Sequence, residues 1–171
     1  MDIVKLSSLE EHNKALYETL IQKINVSMKQ RCFELYKQEL KKSDDIINRY
    51  IITNIYVIYA TKNNELIGYF SISRYDLTRN NIFLQFLSLL ISHLIKRVFI
   101  YDVFIFPTQR NQGHGAFMIK HAINISKHVY KSKIIQLHIT DIKLAKFYEK
   151  NDFVVSKPDN SYTLMTYYKT I

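Results

Sequence analysis

Glycine occurs only three times in 171 residues, and two of them stand two positions apart in Arg110-Asn111-Gln112-Gly113-His114-Gly115. A chain this sparing keeps glycine where a side chain cannot be accommodated. The pair follows an apolar run, Val98 to Phe106, that is closed by Pro107, and it opens a helical pattern from Gly113. Strand, glycine loop and helix in that order aim backbone N–H groups and the positive end of a helix dipole at an anion, usually a phosphate. Taken alone, the same letters also describe a plain strand-to-helix turn.

The residues around the loop carry more. Ile105-x-Pro107-x-x-Arg110-x-x-Gly113-x-Gly115 resembles the V-x-P-x-x-[QR]-x-x-G-x-[GA] signature of the GNAT superfamily of acetyl-CoA-dependent N-acetyltransferases. About thirty residues on, Asp141 to Phe153 resembles that family's second motif, N-x-x-A-x-x-[LF]-Y-E-[KR]-x-G-F, with Leu144 at its Ala position. The two motifs cover residues 98–155, a third of the chain. The resemblance implies an α/β (α+β) fold in a single domain over 1–171. Its sheet is mixed and mostly antiparallel, with a central parallel splay, and is flanked by helices.

Composition fits one ordinary domain. An apolar fraction of 47% and this length supply a core without covalent staples. Cys32 is the single cysteine, so an internal disulfide framework and a cysteine zinc cluster are both excluded. No metal is expected. The N-terminus lacks the layout of a signal peptide. The longest apolar stretch, Ile82 to Ile95, falls short of the ~20 residues a bilayer span needs. The expectation is a cytoplasmic chain with no membrane partner.

Charge is uneven. The net charge is +9, and residues 61–171 hold fifteen basic groups against seven acidic ones, while residues 1–60 hold nine and eight. A basic surplus attracts coenzyme phosphates, nucleic acid or acidic protein surfaces. A lysine-rich composition, written alongside abundant Ile, Asn and Tyr, gives the same count without a partner.

Periodicity predicts helices over Ser8–Ile24, with a capping-box spacing from Ser8 to Glu11, and over Val26–Lys42. Ile55–Ala60 and Leu66–Tyr75 read as a hairpin, with Gly68 marking a bulge or a close backbone approach. Residues 76–97 are too evenly apolar to assign. After the loop, Met118, Ala122, Ile125 and Val129 share one helical face, and Lys120, Asn124, Lys127 and Lys131 the other. Ile134–Ile139, Phe153–Ser156 and Tyr162–Tyr168 read as strands, and Asp141–Lys150 as a helix.

Acyl transfer from a thioester to an amine needs a held thioester, a neutral amine and a proton for the departing thiolate. Amides of Gln112, Gly113, His114, Gly115 and Ala116 suit a pyrophosphate, with Arg110 and Asn111 at the loop entry. The resemblance assigns the main chain of Val103, Phe104 and Ile105 to the amide arm of the coenzyme, paired like an added strand. It assigns Tyr148 as the donor of the thiolate's proton, for which a phenol is suited. On residue type alone, in a chain with thirteen tyrosines, Tyr148 reads first as a core aromatic on an amphipathic helix. Asp141 stands where the family has Asn, as a coenzyme contact that cannot donate an amide hydrogen. Asp152 replaces a Gly, which predicts a differently shaped helix end. Asp102 resembles the Asp of the family's E-D-[LF]-x-V strand, with Tyr101 in place of the Glu. It is the candidate base, or else a structural carboxylate.

The segment from Phe147 to Met165 also resembles the C-terminal part of GNAT toxins that acetylate the α-amine of aminoacyl-tRNA. The partners expected are therefore acetyl-CoA and an amine acceptor on a protein, a peptide or a tRNA, with a homodimer open. A small polyamine-like amine also stays open, although a cationic one suits a net charge of +9 poorly. The alternative is a non-catalytic module of this fold that binds nucleic acid or protein.

Overall fold

The computed structural model describes residues 1–36, 54–60, 65–74, 82–139, 142–155 and 165–171. Its frame is a seven-stranded sheet in the order β1-β2-β3-β4-β5-β7-β6. The strands are β1 (Asp2–Lys5), β2 (Asn54–Ala60), β3 (Glu65–Ser73), β4 (Arg97–Ile105), β5 (Ile134–Ile139), β6 (Val154–Val155) and β7 (Met165–Thr170). Every pairing is antiparallel except β4 with β5. The helices are α1 (Leu6–His12), α2 (Lys14–Tyr36), α3 (Ile82–Leu94), α4 (His114–His128) and α5 (Ala145–Glu149).

Alternation along the strands loads both faces of the sheet. In β2, Ile55 and Val57 join Leu6, Leu20, Ile24 and Tyr69 in one apolar cluster, under α1 and α2. Tyr56 and Ile58 point the other way. There they meet Phe70, Val98, Ile100, Ile135 and the α4 residues Met118, Ile119 and Ala122. The buried α4 positions repeat at helical spacing, while Lys120, Asn124 and Lys127 are exposed, as the pattern requires. Val129 falls just beyond the helix and is exposed, not part of the inner face.

Two departures from the sequence expectations have local causes. The helix expected from Ser8 is two helices, because Asn13 Oδ1 accepts the Leu16 N–H at 3.1 Å and starts α2 afresh. From there α2 runs unbroken through Ile24 and Val26, since no Gly or Pro stands among residues 1–60. Residues 37–42 of the second expected helix lie outside the described residues. So do the hairpin turn at 61–64, Tyr75, Ser156 and residues 162–164. Strand β1 carried no signal of its own; four residues at a sheet edge are too few for a period.

Gly68 is both a bulge and a close approach. The β2–β3 register slips beside it, and a Cβ there would collide with the Phe104 carbonyl oxygen of β4 and crowd Met118. Among the described residues no helix is long and apolar enough to cross a membrane.

Candidate active site

Strands β4 and β5 are joined by a crossover through α4, as parallel neighbours must be. Their start is pinned by Ser132, whose hydroxyl donates to Lys96 O at 2.6 Å and lies 2.8 Å from Ile134 O. The pairing runs from Arg97↔Ile134 to Ile100↔Leu137 and ends there, although β4 continues to Ile105 and β5 to Ile139. The two strands therefore splay at the end where the glycine loop begins.

A bulge sits at the splay. Tyr69 pairs with Phe104 and Ser71 with Tyr101, so Phe70 alone faces both Asp102 and Val103. Burial follows the shift: Val98 and Ile100 belong to the α4-side core, and beyond the bulge Val103 and Ile105 pack against that same core. Phe104 and Phe106 turn to the α2 side, where their rings stand 5.2 Å apart and that of Phe104 lies 5.3 Å from Tyr69. Asp102 occupies the bulge itself.

The loop is built by backbone geometry. Pro107–Gln109 form a single 3-10 turn, after which Asn111 and Gly113 take positive φ values of 61° and 80°. Gly113 is the residue before α4, and Phe117 donates the first helical bond, to Gly113 O at 3.1 Å. The N–H groups of His114, Gly115 and Ala116 thus lie at the open, positive end of the helix. Gln112 Nε2 reaches back to Thr108 O at 3.2 Å, and Arg110 Nε donates to Ile105 O at 3.1 Å, with the guanidinium 5.8 Å from the Phe104 ring centre. Arg110 ties the loop to the strand end, a role its position in the sequence did not signal.

The two glycines differ. A Cβ at Gly113 would meet nothing within 4 Å, so only its backbone conformation demands glycine. A Cβ at Gly115 would lie 3.3 Å from Phe147 Cζ. Gly115 is small because α5 packs against it, and through that contact the two sequence motifs meet in space.

Tyr148 follows Phe147 on α5. It is 4% exposed and sits between the rings of Phe147, at 5.1 Å, and Phe153, at 5.8 Å. Its mount is rigid. Tyr148 O accepts N–H bonds from Asn151 and Phe153, Asp152 N donates to Glu149 O, and Asp152 adopts φ 63°. That is the Schellman closure a glycine would make. The different helix end expected from Asp152 is thus corrected: Lys169 Nζ bonds Asp152 Oδ2 at 3.0 Å and Asn151 O at 2.9 Å, and holds the aspartate in the left-handed region. Asp141 lies outside the described residues. Among the described residues no group of three or more His, Cys, Asp or Glu could hold a metal ion.

Tyr56, to which no motif or period in the sequence points, stacks on Phe70 at 5.2 Å on the α4 side. Burial pushes its phenol above the usual tyrosine range, against the smaller opposing effect of a hydrogen bond with Tyr130. Arg74 Nη2 donates to Tyr130 O, and the Arg74 guanidinium lies over the Tyr130 ring.

The model of the acetyltransferase (GNAT) family matches residues 21–153, which include this strand, loop, crossover helix and α5. The chain belongs to the GNAT family of acetyltransferases. No curated protein sequence matches it. Solved GNAT-type structures share its fold at low identity. A Vibrio cholerae spermidine N-acetyltransferase, in complex with CoA and spermine, is 15% identical over 88% of this chain and 89% of its own, with TM-score 0.64. A Pseudomonas aeruginosa acyl-CoA N-acyltransferase is 12% identical over 99% and 97%, with TM-score 0.62. A GNAT family acetyltransferase from Elizabethkingia anophelis, with acetyl-CoA bound, is 14% identical over 74% and 82%, with TM-score 0.53. This GNAT chain shares their fold, and among its described residues the mixed sheet has one parallel pair. Of the segment compared with aminoacyl-tRNA-acetylating toxins, Phe147 to Met165, residues 156–164 lie outside the described residues.

Proposed function

We propose that this protein transfers the acetyl group of acetyl-CoA to a primary amine carried by a macromolecule, a protein or peptide amine or the α-amine of an aminoacyl-tRNA. One observation carries the reading. The open end of α4, the unpaired end of the parallel strands and the Tyr148 helix converge on one place, through the packing of Phe147 against Gly115. The site fits the cosubstrate: an exposed loop with two left-handed residues and a helix N-terminus for phosphates, and strand main chain beyond the last β4–β5 pair for an amide arm. Acetyl-CoA supplies an activated acyl thioester.

The chain's residues then bind, orient and move protons. Amides from Gln112 to Ala116 hold the pyrophosphate, and Arg110 keeps their loop in register with β4. Main-chain groups of Val103 to Ile105 align the arm. Tyr148 returns a proton to the departing thiolate, and Asp102, in the bulge, takes the proton of the attacking amine. A low-pKa α-amine lightens that second task, since it is closer to neutral at pH 7 than a lysine amine.

A free polyamine fits less well. Among described residues between Glu65 and Val155 the acids are Glu65, which accepts from Gln109 Nε2, Asp152, which is paired with Lys169, Asp102 and Glu149. They are outnumbered by basic groups that include the exposed Lys120, Lys127, Lys131, Lys143 and Lys146. A cationic acceptor would meet a surface of its own sign.

Labelled acetyl-CoA incubated with separate pools of aminoacylated tRNA, cell protein and polyamines tests the reading. Label is expected in the tRNA or protein pool. Transfer to polyamines alone would overturn the acceptor class. Transfer to none, with acetyl-CoA unbound, would favour the non-catalytic module.

A further inference from the structure

Antiparallel neighbours such as β3 and β4 can be joined by a two-residue turn. Here the connection runs from Arg74 to Lys96 and contains α3.

The helix is turned the opposite way from what an isolated monomer needs. Ser92 is fully buried, and its hydroxyl oxygen has no hydrogen-bond partner. Meanwhile Phe83 is 67% and Leu94 82% exposed, and Phe86, Leu87, Leu90 and Ile91 are also open. The exposed apolar positions recur at i, i+3, i+4, i+7 and i+11, a continuous stripe down one side. A lone surface helix buries that stripe and shows its serine to water.

We propose that α3 is a self-association face, on which a second copy of this chain packs helix to helix about a two-fold axis. Area supports a stable contact. Six large apolar residues, 40% to 82% exposed, form one contiguous patch on a single helix. Such a surface marks an interaction site and can supply the apolar core of a standard interface of ~800 Å² per partner. Charge selects the occupant. Residues 82–95 contain no Asp, Glu, Lys or Arg in a chain of net charge +9, so this is the face where two like-charged copies meet at least electrostatic cost. A lipid surface is less suited: helices that lie on membranes carry Lys and Arg on their polar face, and α3 has neither. An isologous pair also sets each stripe against its own mirror order, Phe83 near the partner helix's Leu94 end and the two Leu87–Leu90 centres at the axis.

Sedimentation equilibrium of the full chain decides it. The wild type is expected at twice 20.4 kDa over a wide concentration range. Leu94→Glu and Phe83→Glu, at the two most exposed positions, should sediment as monomers with unchanged far-UV circular dichroism. If either Glu variant is misfolded, Leu94→Ser should still weaken the dimer. A monomeric wild type overturns the proposal, whether or not it binds anionic vesicles. So does a dimer that the folded variants retain undiminished.

Discussion

At the scale of single residues, Tyr148 decides between chemistry and packing. Its ring is held between Phe147 and Phe153 and its helix end is closed by the Asp152–Lys169 pair, so Tyr148→Phe keeps the packing and removes one hydroxyl. If Tyr148 is the thiolate's proton donor, removing its hydroxyl should lower kcat by ~10²-fold or more, with acetyl-CoA affinity little changed. Steady-state kinetics with acceptor in excess would read this. A Phe variant of full kcat, with chemistry rate-limiting, returns Tyr148 to the core. Tyr56 makes a prediction about stability instead. Its phenol titrates higher when folded than unfolded, so the folded state holds its proton more tightly and stability falls as pH rises above ~10. Tyr56→Phe removes that decline. The variant should lose about 1 kcal/mol at neutral pH with the Tyr130 hydrogen bond, and its unfolding free energy should fall less steeply than the wild type's on the alkaline side. Parallel alkaline slopes for the two proteins would contradict this.

At the scale of elements, the site depends on how closely β3 and β4 approach. Gly68 permits that approach, and Gly68→Ala would drive a methyl into the Phe104 carbonyl oxygen, which is backbone and cannot swing aside. Roughly 3 kcal/mol of destabilisation is expected, at the upper end for overpacking, measured by urea denaturation. A variant as stable as the wild type would mean the strands separate freely there. The hairpin, the glycine loop, α4 and β5 were legible in the sequence, because each carries its own period or punctuation. The bulge was legible only in part: Val98 and Ile100 alternate, then Val103 and Ile105 do, and the three-residue step between them marks Asp102 as out of phase. The meaning of Gly115 was not legible, since its neighbour Phe147 comes from 32 residues later and only folding brings them together. Nor was α3, whose even apolarity is explained by an outward face that no local pattern could assign.

At the scale of the whole molecule, excess charge is either a binding surface or a matter of composition. If the acceptor is RNA-borne, the exposed Lys120, Lys127 and Lys131, or Lys143 and Lys146, should include lysines that pair with phosphates. Each such ion pair removed by a Lys→Gln substitution should flatten the log-affinity against log-salt slope by ~0.9 on a duplex or ~0.7 on a single strand. Binding isotherms for tRNA at several salt concentrations that do not change in either set would leave a protein amine as the acceptor. The central claim is that the open end of α4, beside the splayed strands, holds acetyl-CoA. Gly113 tests it most directly, because φ 80° strains any branched side chain while nothing lies within 4 Å to clash with it, so the loop is reshaped and the core is not. Titration calorimetry should show acetyl-CoA binding to the wild type with one site per chain, and at least about tenfold weaker binding, 1.4 kcal/mol, to Gly113→Val. No binding to the wild type, or unchanged affinity in a Gly113→Val protein with native circular dichroism, would contradict it.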